Sequence, residues 1–293
     1  MKYRVAHTTR YRYEEDVTCS YGQIHLVPRQ LPGQICARSE VTIEPVPVDY
    51  QERSDFFGNR FAYFEISSVH RALSVTTTSW IEIAVPVRRE LVGAIEAAAT
   101  PWESARSIPA SDPEGRQFLL DSPLVAASAE LAAYGRLSFT DGRPIVEALQ
   151  DLAHRVYGDF AFKPGATGVS TTAAEVLEKK AGVCQDFAHL VIGCMRSLGL
   201  AARYVSGYLE TNPPPGRPRQ QGADVSHAWA SVLVPGVGWI DVDPTNRQLV
   251  NERYVVTAWG RDYSDVPPLK GVIFTRGTTH DLEVMVDVLR EGD

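Results

Sequence analysis

From residue 1 to about 85, apolar residues recur at every second position in short runs. These are Lys2 to Val5, Arg38 to Ile43 with Val41 and Ile43, Phe61 to Ile66, and Leu73 to Ile83. That period belongs to strands with one face buried. Pro32-Gly33, Pro45 to Pro47 and Phe57-Gly58-Asn59 supply the turns between them. The pattern predicts an N-terminal β-sandwich over 1–85. Residues 86–143 lack a single period: Ala97 to Ala99 and Ala126 to Ala133 alternate with Pro101, Pro109, Pro113 and Pro123. They are expected to form short helices in a mixed linker region.

From Pro144 the period changes to that of a helix. Proline suits a first helical position, where its missing N–H costs nothing. Ile145, Leu149, Leu152 and Val156 then keep one apolar stripe. Thr172 and Glu175 have capping-box spacing and open a second helix, with Gly182 as its expected end. A third helix is predicted from Cys184 to about Leu198. Phe187, Leu190, Val191, Cys194, Met195 and Leu198 form its buried face, and Gly199 follows as the cap. Strands are expected over Ala202 to Leu209, Ala228 to Val234 and Trp239 to Val242. An exposed loop is expected over Pro213 to Gln221, and a closing strand over Asp281 to Leu289.

Composition narrows the function classes. The 293 residues are 44% hydrophobic and 22% charged, enough for a large core without disulfides. A net charge of -7 with no dense Lys/Arg run argues against nucleic acid and against anionic membranes. No apolar signal region opens the chain, and no stretch of ~20 apolar residues spans a bilayer. The four cysteines (Cys19, Cys36, Cys184, Cys194) include no CxxC pair, so free thiols in the cytoplasm are expected.

Of these thiols, Cys184 has the most chemistry available. It falls in the first turn of a helix, where unpaired N–H groups favour a thiolate and can hold an oxyanion. Gly182 just before it would let a substrate backbone approach. A thiol nucleophile needs a base. His189 shares the helix, but five residues place it ~7.5 Å along and ~140° around the axis, so it points elsewhere. His227 opens a strand after a loop, at a lip that can face a helix N-terminus. Trp239, Asp241 and Asp243 share one strand face, so either acid could orient that base. Asp186 is expected to favour the helix dipole. Tyr208 and Trp229 are candidate substrate-binding residues. Cys194 lies on the apolar stripe, Cys19 and Cys36 are expected to pack, and Arg217 and Arg219 to be solvated in their loop.

These blocks, Gly182 to Leu209 and Ser226 to Asn246, resemble the transglutaminase-like superfamily, whose core is papain-like. The family has a Cys at a helix start, a His entering a strand, and an Asp four residues after a Trp and before a short turn. All three occur here in order, 43 and then 16 positions apart. The resemblance implies Cys184 as nucleophile, His227 as base and Asp243 as orienter. His7 to Tyr13, Leu26 to Arg29 and Asp55 to Asn59 resemble the β-rich N-terminal region of bacterial members. Gly260 to Pro268 resembles their C-terminal segment. The implied fold is α+β: a papain-like transglutaminase core over 144–260, preceded by the sandwich and followed by a C-terminal segment over 261–293.

The implied chemistry is acyl transfer or amide hydrolysis on a peptide or protein substrate, through a Cys-His-Asp triad and a thioester. An amine acceptor makes a transglutaminase; water makes a cysteine protease or amidase. The contrasting class is a non-catalytic peptide-binding module. A Cys/His metal site lacks ligand spacing, and no cofactor or calcium loop is implied.

Overall fold

A single strand of unusual length organises the N-terminal part. The computed structural model describes residues 1–84, 100–108, 112–211 and 224–291. Within it, Lys2–Ile24 forms β1, 23 residues long. Tyr3, Val5, His7 and Thr9 are buried in its first half, and Ser20, Gly22 and Ile24 in its second. The inward set passes from odd to even positions across a register shift between Val17 and Cys19. A bulge has this effect, because one extra residue exchanges the faces and bends the strand.

The strands β2 (Gln34–Glu44), β3 (Asp49–Ser54), β4 (Arg60–Ile66) and β5 (His70–Ile83) assemble around β1 in the order β2-β5-β1-β4-β3. β5 pairs with the first half of β1 and β4 with the second. The expected sandwich therefore takes the form of one sheet curled on itself.

The second part of the fold is built from helices on a second sheet. Among the described residues its helices are α1 (Pro113–Arg116), α2 (Ala129–Arg136), α3 (Ile145–Asp159), α4 (Ala173–Lys179) and α5 (Cys184–Ser197). Its strands are β6 (Ala161–Phe162), β7 (Ala181–Gly182), β8 (Ala202–Leu209), β9 (Ser226–Val234), β10 (Gly238–Asp243), β11 (Gln248–Leu249) and β12 (Tyr254–Gly260). Five form an antiparallel sheet in the order β11-β10-β9-β8-β12. α5 lays Phe187, Leu190, Val191, Cys194 and Met195 against Ala202, Tyr204, Ala228 and Ala230 of that sheet. Thr172 and Glu175 complete the capping box of α4. That helix ends earlier than Gly182, on Lys180 in the left-handed region (φ 53°). Gly182 instead pairs with β6.

The stretch before Pro144 is part of this core, supplying buried Trp102, Leu131 and Tyr134. Ala97 to Ala99, Pro109 and the expected loop Pro213 to Gln221, with Arg217 and Arg219, lie outside the described residues. The chain then returns to its start. β13 (Leu269–Thr275) and β14 (His280–Arg290) both pair with β1. Tyr3, Val5, Ile81 and Ile83 pack on Tyr208, Val255, Val286 and Val288, which fixes the curled sheet against the second one.

Candidate active site

The N-terminus of α5 is shaped by its neighbours in sequence. Val183 is extended, and the first helical bond runs from Phe187 N–H to its carbonyl (3.0 Å). Asp186 folds back so that its Oδ2 accepts from Val183 N–H (2.7 Å) and from Thr167 Oγ1 (2.6 Å). A side chain at Gly182 would meet Asp186 Cβ at 2.7 Å. The glycine thus makes room for this cap, not for a substrate backbone as expected. Burial, opposed by these hydrogen bonds, still raises the Asp186 pKa. Cys184 follows directly, half-buried, with its thiol unpaired to any cysteine.

His227 is the second residue of β9, opposite Gly207 on β8. Its Nε2–H donates to Asp243 Oδ2 at 2.7 Å. Cys184 lines the same cleft as the ring and is close enough to act on its charge. Burial works against the charged ring, but the hydrogen bonds and charges of Asp243 and Cys184 outweigh it and raise the pKa to about 10.

Asp243 is fully buried. Its Oδ2 also accepts from Tyr254 Oη (2.6 Å) and Asn246 Nδ2 (2.7 Å), and its Oδ1 accepts from the N–H groups of Thr245 (2.9 Å) and Asn246 (3.2 Å). Burial raises its pKa, yet His227, Asn246 and Tyr254 together bring it below the usual value. Asp241 is used differently, since it accepts from Trp229 Nε1 (3.2 Å). The alternative left open by strand periodicity is thus separated by contact: Asp243 touches the ring, and Asp241 does not.

A cleft of about 270 Å³ opens above Cys184 and His227. Tyr204 and Ser206 of β8 form one wall; His7, Thr9 and Tyr11 of β1, with Leu282 and Val284 of β14, form another. Tyr208 and Trp229, expected as substrate-binding residues, do not reach it. Tyr208 is 2% exposed and shares a hydrogen bond with His7 Nδ1 (3.0 Å). Trp229 is 0% exposed and packs beneath His227 and Tyr254. Strand pattern assigns faces but does not say which face a distant sheet covers.

The sequence reading missed His7, Asn246 and Tyr254. Asn246 had a signal, three residues after Asp243 in a turn; His7 and Tyr254 arrive from remote strands and had none. His7 has both ring nitrogens occupied, by Tyr208 and Thr9, and burial lowers its pKa to about 4. It is neutral at pH 7 and does not repel a charged His227. His189 is structural, as its position on α5 implied. It is fully buried, accepts from Tyr263 N–H (3.1 Å), and burial lowers its pKa to about 4. Among the described residues no three His, Cys, Asp or Glu converge on a metal site, and no helix is long and apolar enough to cross a membrane.

Gly207 holds His227 in register. A Cβ there would lie 2.0 Å from the Val255 carbonyl oxygen and 2.6 Å from the Trp229 ring. Gly207→Ala should therefore destabilise the fold by about 3 kcal/mol or more. Chemical denaturation would show it, and a loss below about 1 kcal/mol would contradict this packing.

Residues 3–82 match the model of the bacterial transglutaminase-like N-terminal region, and residues 136–244 match that of the transglutaminase-like superfamily. An uncharacterised protein of Mycobacterium tuberculosis is 44% identical over 100% of this chain and 94% of its own length. A protein-glutamine gamma-glutamyltransferase of Pseudomonas aeruginosa is 28% identical over 49% of this chain and 22% of its own length. The crystal structure of a candidate cysteine protease from Cytophaga hutchinsonii shares the fold, with a TM-score of 0.75 at 20% identity, covering 100% of this chain and 92% of that one. The chain belongs to the transglutaminase-like superfamily.

Proposed function

We propose that the protein is a cysteine-dependent acyltransferase or amide hydrolase acting on a peptide or protein substrate, with Cys184 as nucleophile, His227 as acid and base, and Asp243 as orienter. One observation carries this reading: the His227 ring shares a cleft with Cys184 and is hydrogen-bonded at 2.7 Å to the buried carboxylate of Asp243. The sulfur attacks an amide carbonyl, and the first-turn N–H groups of α5 take the developing oxyanion. Protonated His227 gives its proton to the departing nitrogen, the C–N bond breaks, and a thioester remains on Cys184. Water or an amine, deprotonated by His227, then attacks the thioester and frees the sulfur.

The cleft is small beside typical pockets for whole ligands. That size favours entry of one amide-bearing side chain, and the amine or hydrolytic outcome turns on which acceptor reaches the thioester.

Iodoacetamide tests the nucleophile. Near neutral pH it should label Cys184 stoichiometrically before Cys194, which is fully buried with its pKa pushed up to about 12 by burial. Equal, slow labelling of all four thiols would favour the peptide-binding module. Incubation with a glutamine-peptide library followed by mass spectrometry of the Cys184 peptide should reveal a captured acyl group. A thiol that carries no acyl group from any peptide would refute the proposed reaction.

A further inference from the structure

A larger cavity than the cleft at the thiol lies elsewhere among the described residues. It lies against the face of the five-stranded sheet turned away from α5, between that sheet and the turn around Gly58, and has a volume of about 1200 Å³. Arg203 on β8 and Asp241 on β10 line it, and Ser231 on β9 stands between them in cross-strand register. Arg203 Nε, Ser231 Oγ and Asp241 Oδ1 are each buried, and among the described residues each lacks a hydrogen-bond partner. Native folds rarely leave a row of polar atoms in this state without a bound group to explain it.

Arg203 is the centre of the row. It is 7% exposed and lines the cavity. Its guanidinium sits between two indoles, 3.9 Å from the Trp239 ring centre and 3.7 Å from that of Trp259. The other face of the cluster is closed by Arg29, 3.5 Å over Trp259. Indole faces offset only part of the cost of burying a cation. Asp241 is the carboxylate whose charge acts on it, but Asp241 accepts from Trp229 and takes no hydrogen bond from Arg203. Three other carboxylates line the cavity: Glu114 is exposed, and Asp55 and Asp112 are already engaged. Asp55 accepts from Phe57 N–H and Asn59, and Asp112 accepts from Gly115 N–H. Phe57, Phe118 and Leu233 supply an apolar wall beside the guanidinium.

A buried, forked cation beside apolar walls is the complement of a carboxylate carrying an apolar group. The cavity is several times larger than the cleft over Cys184 and has room for several residues. We propose that this cavity is a second binding site, taking a peptide C-terminus whose last side chain is aromatic or large and aliphatic. The carboxylate pairs with Arg203, and the last side chain lies against Phe57 and Phe118.

The probes are acetyl-Gly-Ala-Phe as free acid, the same peptide as its C-terminal amide, and 3-phenylpropionate, titrated calorimetrically into the full chain. The free acid should bind at least tenfold more tightly than either of the others. Arg203→Gln should reduce its affinity to that of the amide, and protein blocked at Cys184 by iodoacetamide should bind it unchanged. Equal binding of acid and amide would overturn the carboxylate assignment, and equal binding of 3-phenylpropionate would overturn the peptide. Loss of binding on blocking Cys184 would move the ligand to the thiol cleft, and no saturable binding of the acid would end the proposal. Should Arg203→Gln fail to fold, the three-probe comparison on the wild-type chain still decides. Phe57→Ala, at a half-exposed wall position, should then weaken the acid at least threefold, and an unchanged affinity would count against the site.

Discussion

Cys184→Ala should remove turnover of every amide the wild-type protein processes, by a factor on the order of 10⁵ to 10⁶, while leaving the unfolding midpoint almost unmoved. The first half of this expectation rests on the lack of a substitute. Cys194 is fully buried, and burial holds its thiol at about 12. Cys36 is buried in the N-terminal sheet, where burial raises its pKa too. Cys19 lies on β1 opposite Phe274, away from the cleft. The second half rests on position. Cys184 is half-buried at the first turn of α5, and removing one sulfur there leaves the apolar stripe of the helix in place. His227→Ala should cost nearly as much, because nucleophile and base act as a unit. Both are read from single-turnover rates on a peptide amide, with circular dichroism as the check on folding. Activity of Cys184→Ala within tenfold of wild type would place the nucleophile elsewhere.

The parts of this site that were legible in the sequence are those set by local chemistry. The 3.6-residue stripe from Phe187 to Leu198 fixes which side of α5 is buried, and so leaves Cys184 at a free helix start. Thr172 and Glu175 mark the preceding helix through contacts three residues apart. His227 and Asp243 could be placed on strand ends, but their meeting is a matter of register between β9 and β10, which periodicity does not supply. The choice between Asp241 and Asp243 came from the family resemblance, and the contact with His227 agrees with it.

What the sequence hid is non-local. β1 runs through its bulge for 23 residues because β5, β4, β13 and β14 flank it, two of them from the far end of the chain. The same closure brings His7 to the cleft and buries Tyr208. Gly182 misled for a related reason. A glycine beside a nucleophile reads as space for substrate, but the space is filled by Asp186 four residues on.

Asp243→Asn should lower turnover by about 10³ to 10⁴, less than loss of the thiol, through the tautomer of the base. The carboxylate accepts from His227 Nε2–H, Tyr254 Oη and Asn246 Nδ2 on one oxygen. An asparagine that keeps its oxygen toward the Thr245 and Asn246 N–H groups turns its NH₂ toward His227. Two donors then face each other, so the ring moves its proton to Nδ1, the nitrogen that should accept from Cys184. The ring also loses the charge that, with Cys184, outweighs burial and keeps its pKa near 10. The alkaline limb of the pH–rate profile should move down from about 10, since the acid for the leaving nitrogen disappears earlier.

Stability should follow the same sign. A raised histidine pKa stabilises the fold fully below the unfolded value of about 6.5, and this is lost as pH rises to about 10. The lowered Asp243 pKa contributes above its unfolded value, and that contribution is lost on acidification through the folded one. Wild-type protein should therefore lose a few kcal/mol between pH 6 and 10 through His227, and Asp243→Asn should lose much less over that span. Asp241→Asn, which touches Trp229 and not the ring, should stay within tenfold of wild-type turnover and keep the alkaline limb in place. If Asp241→Asn proves the more damaging of the two, the carboxylate that orients His227 has been misassigned.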